Sequence, residues 1–97
     1  MTIRTQEKAR KLALDFIAFK LELERAKRPN DIVSALTDKS CAAYRAILNK
    51  RKNVALKLVE EVIECSVAYK PRFEKDALHI VRLTNLAGEV VRGLKHY

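Results

Sequence analysis

Asn49-Lys50-Arg51-Lys52-Asn53 decides whether this chain has three helices or four. The stretch holds no Gly or Pro, so a helix is free to run through it. A register of Tyr44, Leu48, Arg51, Ala55, Leu58, Val62, Cys65 and Tyr69 would then make one continuous middle helix. Two features oppose that reading: it puts Arg51 in an apolar seam, and Asn53 is a good cap for a helix starting at Val54. Length opposes it too. An unbroken helix from Asp38 to Lys70 would be about 50 Å long at 1.5 Å per residue, against about 35 Å for the first helix, and would leave an apolar end uncovered. A chain reversal at Lys50–Asn53 is therefore expected. With it comes an all-α, antiparallel up-down four-helix bundle, three long helices being the alternative.

The first helix is expected from Thr5, as N-cap, to Lys27. Ala9, Leu12, Phe16, Phe19, Leu23 and Ala26 recur at threes and fours as the seam of a bundle helix, widened by Ala13 and Ile17. Arg28-Pro29-Asn30-Asp31 ends it, because the residue before proline avoids helical geometry; Asn30 or Asp31 then caps the second helix. That helix carries Ile32, Val33, Leu36, Cys41, Tyr44, Ile47 and Leu48, with a kink or short break expected at the polar run Thr37-Asp38-Lys39-Ser40.

The third helix is expected from Val54 to Tyr69, with Leu58, Val62, Cys65 and Tyr69 as its seam, and Lys70-Pro71 stops it. The fourth is expected from Arg72 to Arg92, on Phe73, Ala77, Ile80, Leu83, Ala87, Val90 and Leu94. Gly88 is expected where another helix approaches closely, and Gly93 as the C-terminal stop before a tail, Leu94-Lys95-His96-Tyr97. The third and fourth helices are apolar on more of their circumference than one bundle partner each requires. An uncovered remainder would imply a protein partner or self-association.

All 97 residues read as one domain, with no internal repeat or low-complexity segment. Two Gly, two Pro and no Trp exclude an all-β fold, which needs many turns. A 48% hydrophobic content is enough for a core. No apolar run approaches the roughly 20 residues of a membrane span, and the opening Met1-Thr2-Ile3-Arg4 is unlike a secretory leader, so a bacterial or host cytoplasm is the expected compartment. Cys41 and Cys65 lie in helical patterns among apolar neighbours and are expected to be buried, reduced thiols.

No catalytic or cofactor constellation stands out. The chain has no Gly-rich phosphate loop and no paired cysteines for zinc. His79, expected on the polar side of the last helix, and His96, in the tail, have no carboxylate or thiol at a triad or ligand spacing. Glu60, Glu61 and Glu64 read as a solvated face. The expectation is therefore a binding protein without cofactor or metal.

Charge points to where it would bind. The net charge is +8, which favours nucleic acid or an acidic protein surface. In an up-down bundle the start of the first helix, the second turn and the end of the last helix share one pole. That pole would gather Arg4, Lys8, Arg10, Lys11, Lys50, Arg51, Lys52, Arg92 and Lys95, opposed only by Glu7 and Glu89, with His96 and Tyr97 beside them for base stacking. The other pole, with Arg25, Lys27, Arg28, Lys70 and Arg72, ranks second, and Lys70-Pro71-Arg72 is a candidate docking loop.

The cadence from Val54 to Leu94 is faintly similar to basic four-helix-bundle accessory proteins that bind RNA beside reverse transcriptases, although their C-terminal Trp and paired glycines are absent. In size and helicity the chain also resembles bacteriocin immunity proteins and small phage-encoded inhibitors of host enzymes. These likenesses imply an adaptor or inhibitor docking on a larger protein, a direct DNA- or RNA-binding accessory protein, or an immunity protein. Architecture does not choose among them.

Overall fold

A computed structural model of the chain describes residues 3–96. They form α1 (Ile3–Arg25), α2 (Asp31–Leu48), α3 (Lys52–Ala68) and α4 (Glu74–Lys95). Each helix packs on two neighbours in the cyclic order α1, α2, α3, α4. The extents of 40 × 19 × 18 Å are those of four helices lying side by side. One core runs through all of them, with Phe16, Phe19, Leu36, Val59, Val62, Leu83 and Leu94 among its fully buried members.

The decisive stretch is a chain reversal, built without glycine. Asn49 is the C-cap of α2, and Lys50 follows in the left-handed region at φ 58°. The Lys50 amide donates to Ile47 O at 3.0 Å and the Arg51 amide to Ala46 O at 2.8 Å. These are the paired bonds of a Schellman motif, which satisfies the last carbonyls of a helix. α1 ends the same way. Lys27 has φ 57°, its amide donates to Glu24 O at 3.0 Å, and Arg28 N donates to Leu23 O at 2.8 Å. Asn53, expected as the next cap, lies inside α3; the N-cap is Arg51, with no side-chain bond.

Asn30 does cap α2, its Oδ1 accepting from the amides of Ile32 (2.8 Å) and Val33 (3.0 Å). The expected break at Thr37–Ser40 does not occur. Thr37 Oγ1 lies 2.8 Å from Val33 O and 3.3 Å from Phe16 O, so the hydroxyl is satisfied on helical backbone within the core. Thr5 is not a cap either. It is buried in a helix that starts at Ile3.

Neither glycine has the role read from the sequence. A Cβ on Gly88 would meet nothing within 4 Å. One on Gly93 would collide with Thr5 Oγ1 and lie 2.9 Å from its Cγ2. Gly93 therefore sits inside α4 where α1 comes closest. The helix continues past it to bury Leu94 completely, so the expected tail is helical as far as Lys95. Tyr97 lies outside the described residues.

The α3 seam is also displaced. Ala55, Val59, Val62 and Ser66 are buried, whereas Leu58 and Tyr69 are only half-buried and Cys65 is exposed. Cys41 is half-buried, and both thiols are free. Small residues take the inner line because α3 packs closely on α2, which buries Ser40, Ala43 and Ala46. In α4 the first buried residue is Asp76, not Phe73, which is exposed.

Gly93→Ala should destabilise the fold by about 1–3 kcal/mol, because a short β-branched side chain has little room to give way. Gly88→Ala should stabilise it by up to about 1 kcal/mol. Urea unfolding followed by circular dichroism checks both, and Thr5→Ala should recover part of the Gly93→Ala loss. Lys27→Gly and Lys50→Gly should each stabilise by about 0.5–1 kcal/mol by relieving a left-handed residue that carries a Cβ. Equal or lower urea midpoints would contradict the assignment of these turns.

Candidate functional site

Antiparallel order puts the start of α1, the α2–α3 turn and the end of α4 at one pole of the bundle. Helical twist then sends the cations of that pole in different directions. Successive residues are about 100° apart around a helix, so Lys8 and Lys11 lie on one side of α1 and Arg10 is turned away from both. Lys8 turns to α4 and pairs with Glu89 at 3.0 Å. Lys11 pairs with Asp15 at 3.0 Å, one turn along its own helix. Arg10 lies on the opposite flank, beside Tyr44 and Arg45 of α2. Lys95 approaches Glu60 of α3 at 3.7 Å. Four carboxylates thus oppose the group or engage its members (Glu7, Asp15, Glu60 and Glu89) where two were expected.

A concavity at this pole lies between the start of α1 and the end of α4. It measures about 410 Å³ and is lined by Arg4, Thr5, Lys8, Glu89, Arg92, Gly93 and His96. The missing Cβ of Gly93 lets α1 approach there, so the hollow is set by the same contact that joins the two helices. Glu89 is held below the ordinary glutamate range. The hydrogen bond from Lys8 is the main cause, aided by the charges of Lys8, Arg92 and Arg4 and opposed by partial desolvation. One carboxylate inside three cations leaves a net positive hollow. Lys50 and Arg51 are exposed on the α2–α3 turn and Lys52 opens α3, so these three form a separate rim of the pole.

A row of ion pairs that the sequence reading did not identify runs away from the hollow. Lys8–Glu89, Asp15–Arg82 (3.0 Å) and Glu22–Lys75 (2.6 Å) form rungs between α1 and α4. Each step of seven residues along α1 is matched by seven back along α4, so the signal in the sequence is two heptad-spaced rows of opposite sign, Lys8, Asp15 and Glu22 against Glu89, Arg82 and Lys75. His79, expected on a polar face, belongs to this row. Its ring stacks on Phe19 at 4.8 Å between centroids, and its Nε2 lies 3.4 Å from Glu22 Oε2. The hydrogen bond from Lys75 is the leading cause of the lowered Glu22 pKa, although desolvation opposes it.

At the other pole the helix ends are tied together. Asn30 Nδ2 donates to Tyr69 Oη at 2.6 Å, joining the start of α2 to the end of α3. Arg28 Nη1 donates to the buried Asp76 at 2.8 Å, and its guanidinium covers the Phe73 ring at 4.4 Å. Asp76 also stands in the first turn of α4, where the helix dipole favours a negative charge. The candidate docking loop splits between two hollows. Pro71 lines a groove of about 290 Å³ between α3 and α4, together with Ser66, Val67, Tyr69, Ala77, Ile80, Val81, Thr84 and Asn85. Arg72 lines a smaller hollow beside Arg28 and Phe73. Lys70 is exposed.

Among the described residues, no three His, Cys, Asp or Glu side chains cluster as metal ligands would, and no helix is long and apolar enough to cross a membrane.

A carboxylate whose native pKa is depressed contributes stability above its unfolded value, and that contribution is lost as pH falls through the native one. Glu22 and Glu89 should therefore titrate below the ordinary glutamate value of about 4.3. Lys8→Met should move Glu89 up toward it and leave Glu22 in place. Side-chain carboxyl NMR titration reads both, and an unmoved Glu89 would contradict the geometry. Comparison of the chain with known protein families, curated proteins and solved structures finds no match in any of the three.

Proposed function

We propose that this chain is a small basic helical binding protein that docks on a larger protein as an adaptor or inhibitor. The setting that suits it is a bacterial or host cytoplasm, where a phage- or plasmid-type protein of this kind would modulate a host nucleic-acid-processing enzyme. The observation that carries the reading is the apolar surface left outside the bundle on α3 and α4. Val67, Leu78 and Val81 are 66%, 65% and 57% exposed, and Val67 and Val81 flank the α3–α4 groove. Clustered apolar side chains on the outside of a small basic bundle cost solubility unless something covers them. Lys70 and Arg72 stand at the loop end of this groove, so an acidic protein surface is the complementary partner.

A second reading has its own observation. The hollow ringed by Arg4, Lys8 and Arg92, with Lys50 and Arg51 on the same pole, suits a phosphate backbone, and so supports non-sequence-specific DNA or RNA binding. An immunity-type role rests on size and helicity alone.

Two variants separate these readings. Val81→Glu should abolish capture of a protein partner from nuclease-treated bacterial lysate, and Lys50→Glu/Arg51→Glu should leave that capture intact. Under the alternative, a fluorescent duplex should bind at low salt, and log affinity should fall against log salt with a slope near −0.9 per phosphate contacted. Arg4→Glu/Arg92→Glu should remove that binding. Duplex binding with those properties, and no capture sensitive to Val81, would overturn the protein-docking reading.

A further inference from the structure

α1 presents three different flanks. Its inner row, Ala9, Leu12, Phe16, Phe19 and Leu23, is core. The flank facing α4 is charged, and Lys8, Asp15 and Glu22 each have an α4 partner. The flank beside α2 carries Arg10, Leu14, Ile17, Leu21 and Glu24, spaced four, three, four and three. That is the spacing of a coiled-coil seam, repeated on a side of the helix that the bundle does not cover. Leu14, Ile17 and Leu21 are 49%, 36% and 46% exposed. Arg10 and Glu24, which close the row at its two ends, form no ion pair among the described residues.

The row is a palindrome in character with its charges inverted. Arg10 and Glu24 stand seven residues on either side of Ile17. Turned end for end about Ile17, a second α1 sets Arg10 against Glu24, Leu14 near Leu21, and Glu24 against Arg10. An isologous two-fold contact requires this self-complementarity, in which residue i meets j and j meets i. The groove beside the row, about 240 Å³ and lined by Ala13, Leu14, Ile17, Cys41 and Tyr44, offers seats for apolar side chains. Arg10 and Arg45 stand at the same groove, so its charge at that end is positive. The occupant must bring a carboxylate to that end and accept Glu24 at the other. A uniformly acidic helix meets only the first condition. We propose that the occupant is a second copy of this chain, in an antiparallel dimer centred on Ile17.

The long-range repulsion of two +8 chains is screened beyond about 10 Å at 0.1 M salt, whereas the Arg10–Glu24 pairs act at contact distance. The row from Arg10 to Glu24 is about 21 Å long, which suits a modest interface.

Sedimentation equilibrium of the full chain tests this. The wild type should form a dimer, and Ile17→Lys should be monomeric with unchanged helical content. Arg10→Glu and Glu24→Arg should each weaken association about ten-fold, and the double swap should recover it. Arg10→Glu lowers the net charge, which by itself would favour association, so weakening there reports the specific contact. A wild type that stays monomeric at about 1 mM would overturn the proposal. So would a dimer indifferent to Ile17→Lys, or a double swap that fails to recover.

Discussion

The Arg51 amide donating to Ala46 O is the contact on which the bundle depends. It reverses the chain after α2, turns α3 back along α2, and so makes room for α4 to return against α1. Lys50 accepts a left-handed conformation to allow it. The strain of a Cβ there is about 1–2 kcal/mol, small against the apolar surface that two equal-length helices bury together. The Leu23–Arg28 bond does the same for α1. With both reversals in place, the third link through Pro71 leaves α4 only one slot, beside α1 and α3.

α1 then acts as the organising helix. Its inner face supplies both buried phenylalanines, and its α4 flank carries the heptad-spaced ion pairs. Exposed pairs of this sort contribute little to stability, because water screens them and ordering two long side chains costs entropy. Their effect is on register, since a slip of α4 by two turns would set Lys8 against Arg82 or Asp15 against Glu89. The far pole is fixed by different means. There Arg28 and Asp76, and Asn30 and Tyr69, tie the ends of all four helices across two loops. The basic pole has cross-helix ties of its own, Lys8–Glu89 and Lys95–Glu60, but there Arg4, Lys8 and Arg92 also line an open hollow.

Much of the fold was legible in the residues. Most of the seams of α1 and α4 followed from apolar spacing alone, although Ala26 and Ile17 are exposed, and Asn30 was one of two candidates for the cap of α2. The mistaken positions share a cause. Leu58 and Cys65 are more apolar than Ala55 and Ser66, so hydrophobicity favoured the wrong line on α3, where closeness to α2 selects small side chains. Gly88 and Gly93 are chemically identical, and only the position of Thr5 on another helix distinguishes them. Asp76 was hidden because its burial depends on Arg28, 48 residues away.

The candidate site divides the same way. Composition determined that the chain is helical and basic, and that cations occur near the start of α1, the second reversal and the end of α4. These are properties of residue type and of position along one chain. Tertiary structure decided which of those cations meet. It turned Arg4, Lys8 and Arg92 into one hollow around Glu89, set Arg10 beside Tyr44 and Arg45 of α2, and gave Lys95 a carboxylate neighbour on α3. The physical reason is geometric. Sequence sets the charge and the helical period, but the azimuth at which each helix faces its neighbours is chosen by core packing among all four at once.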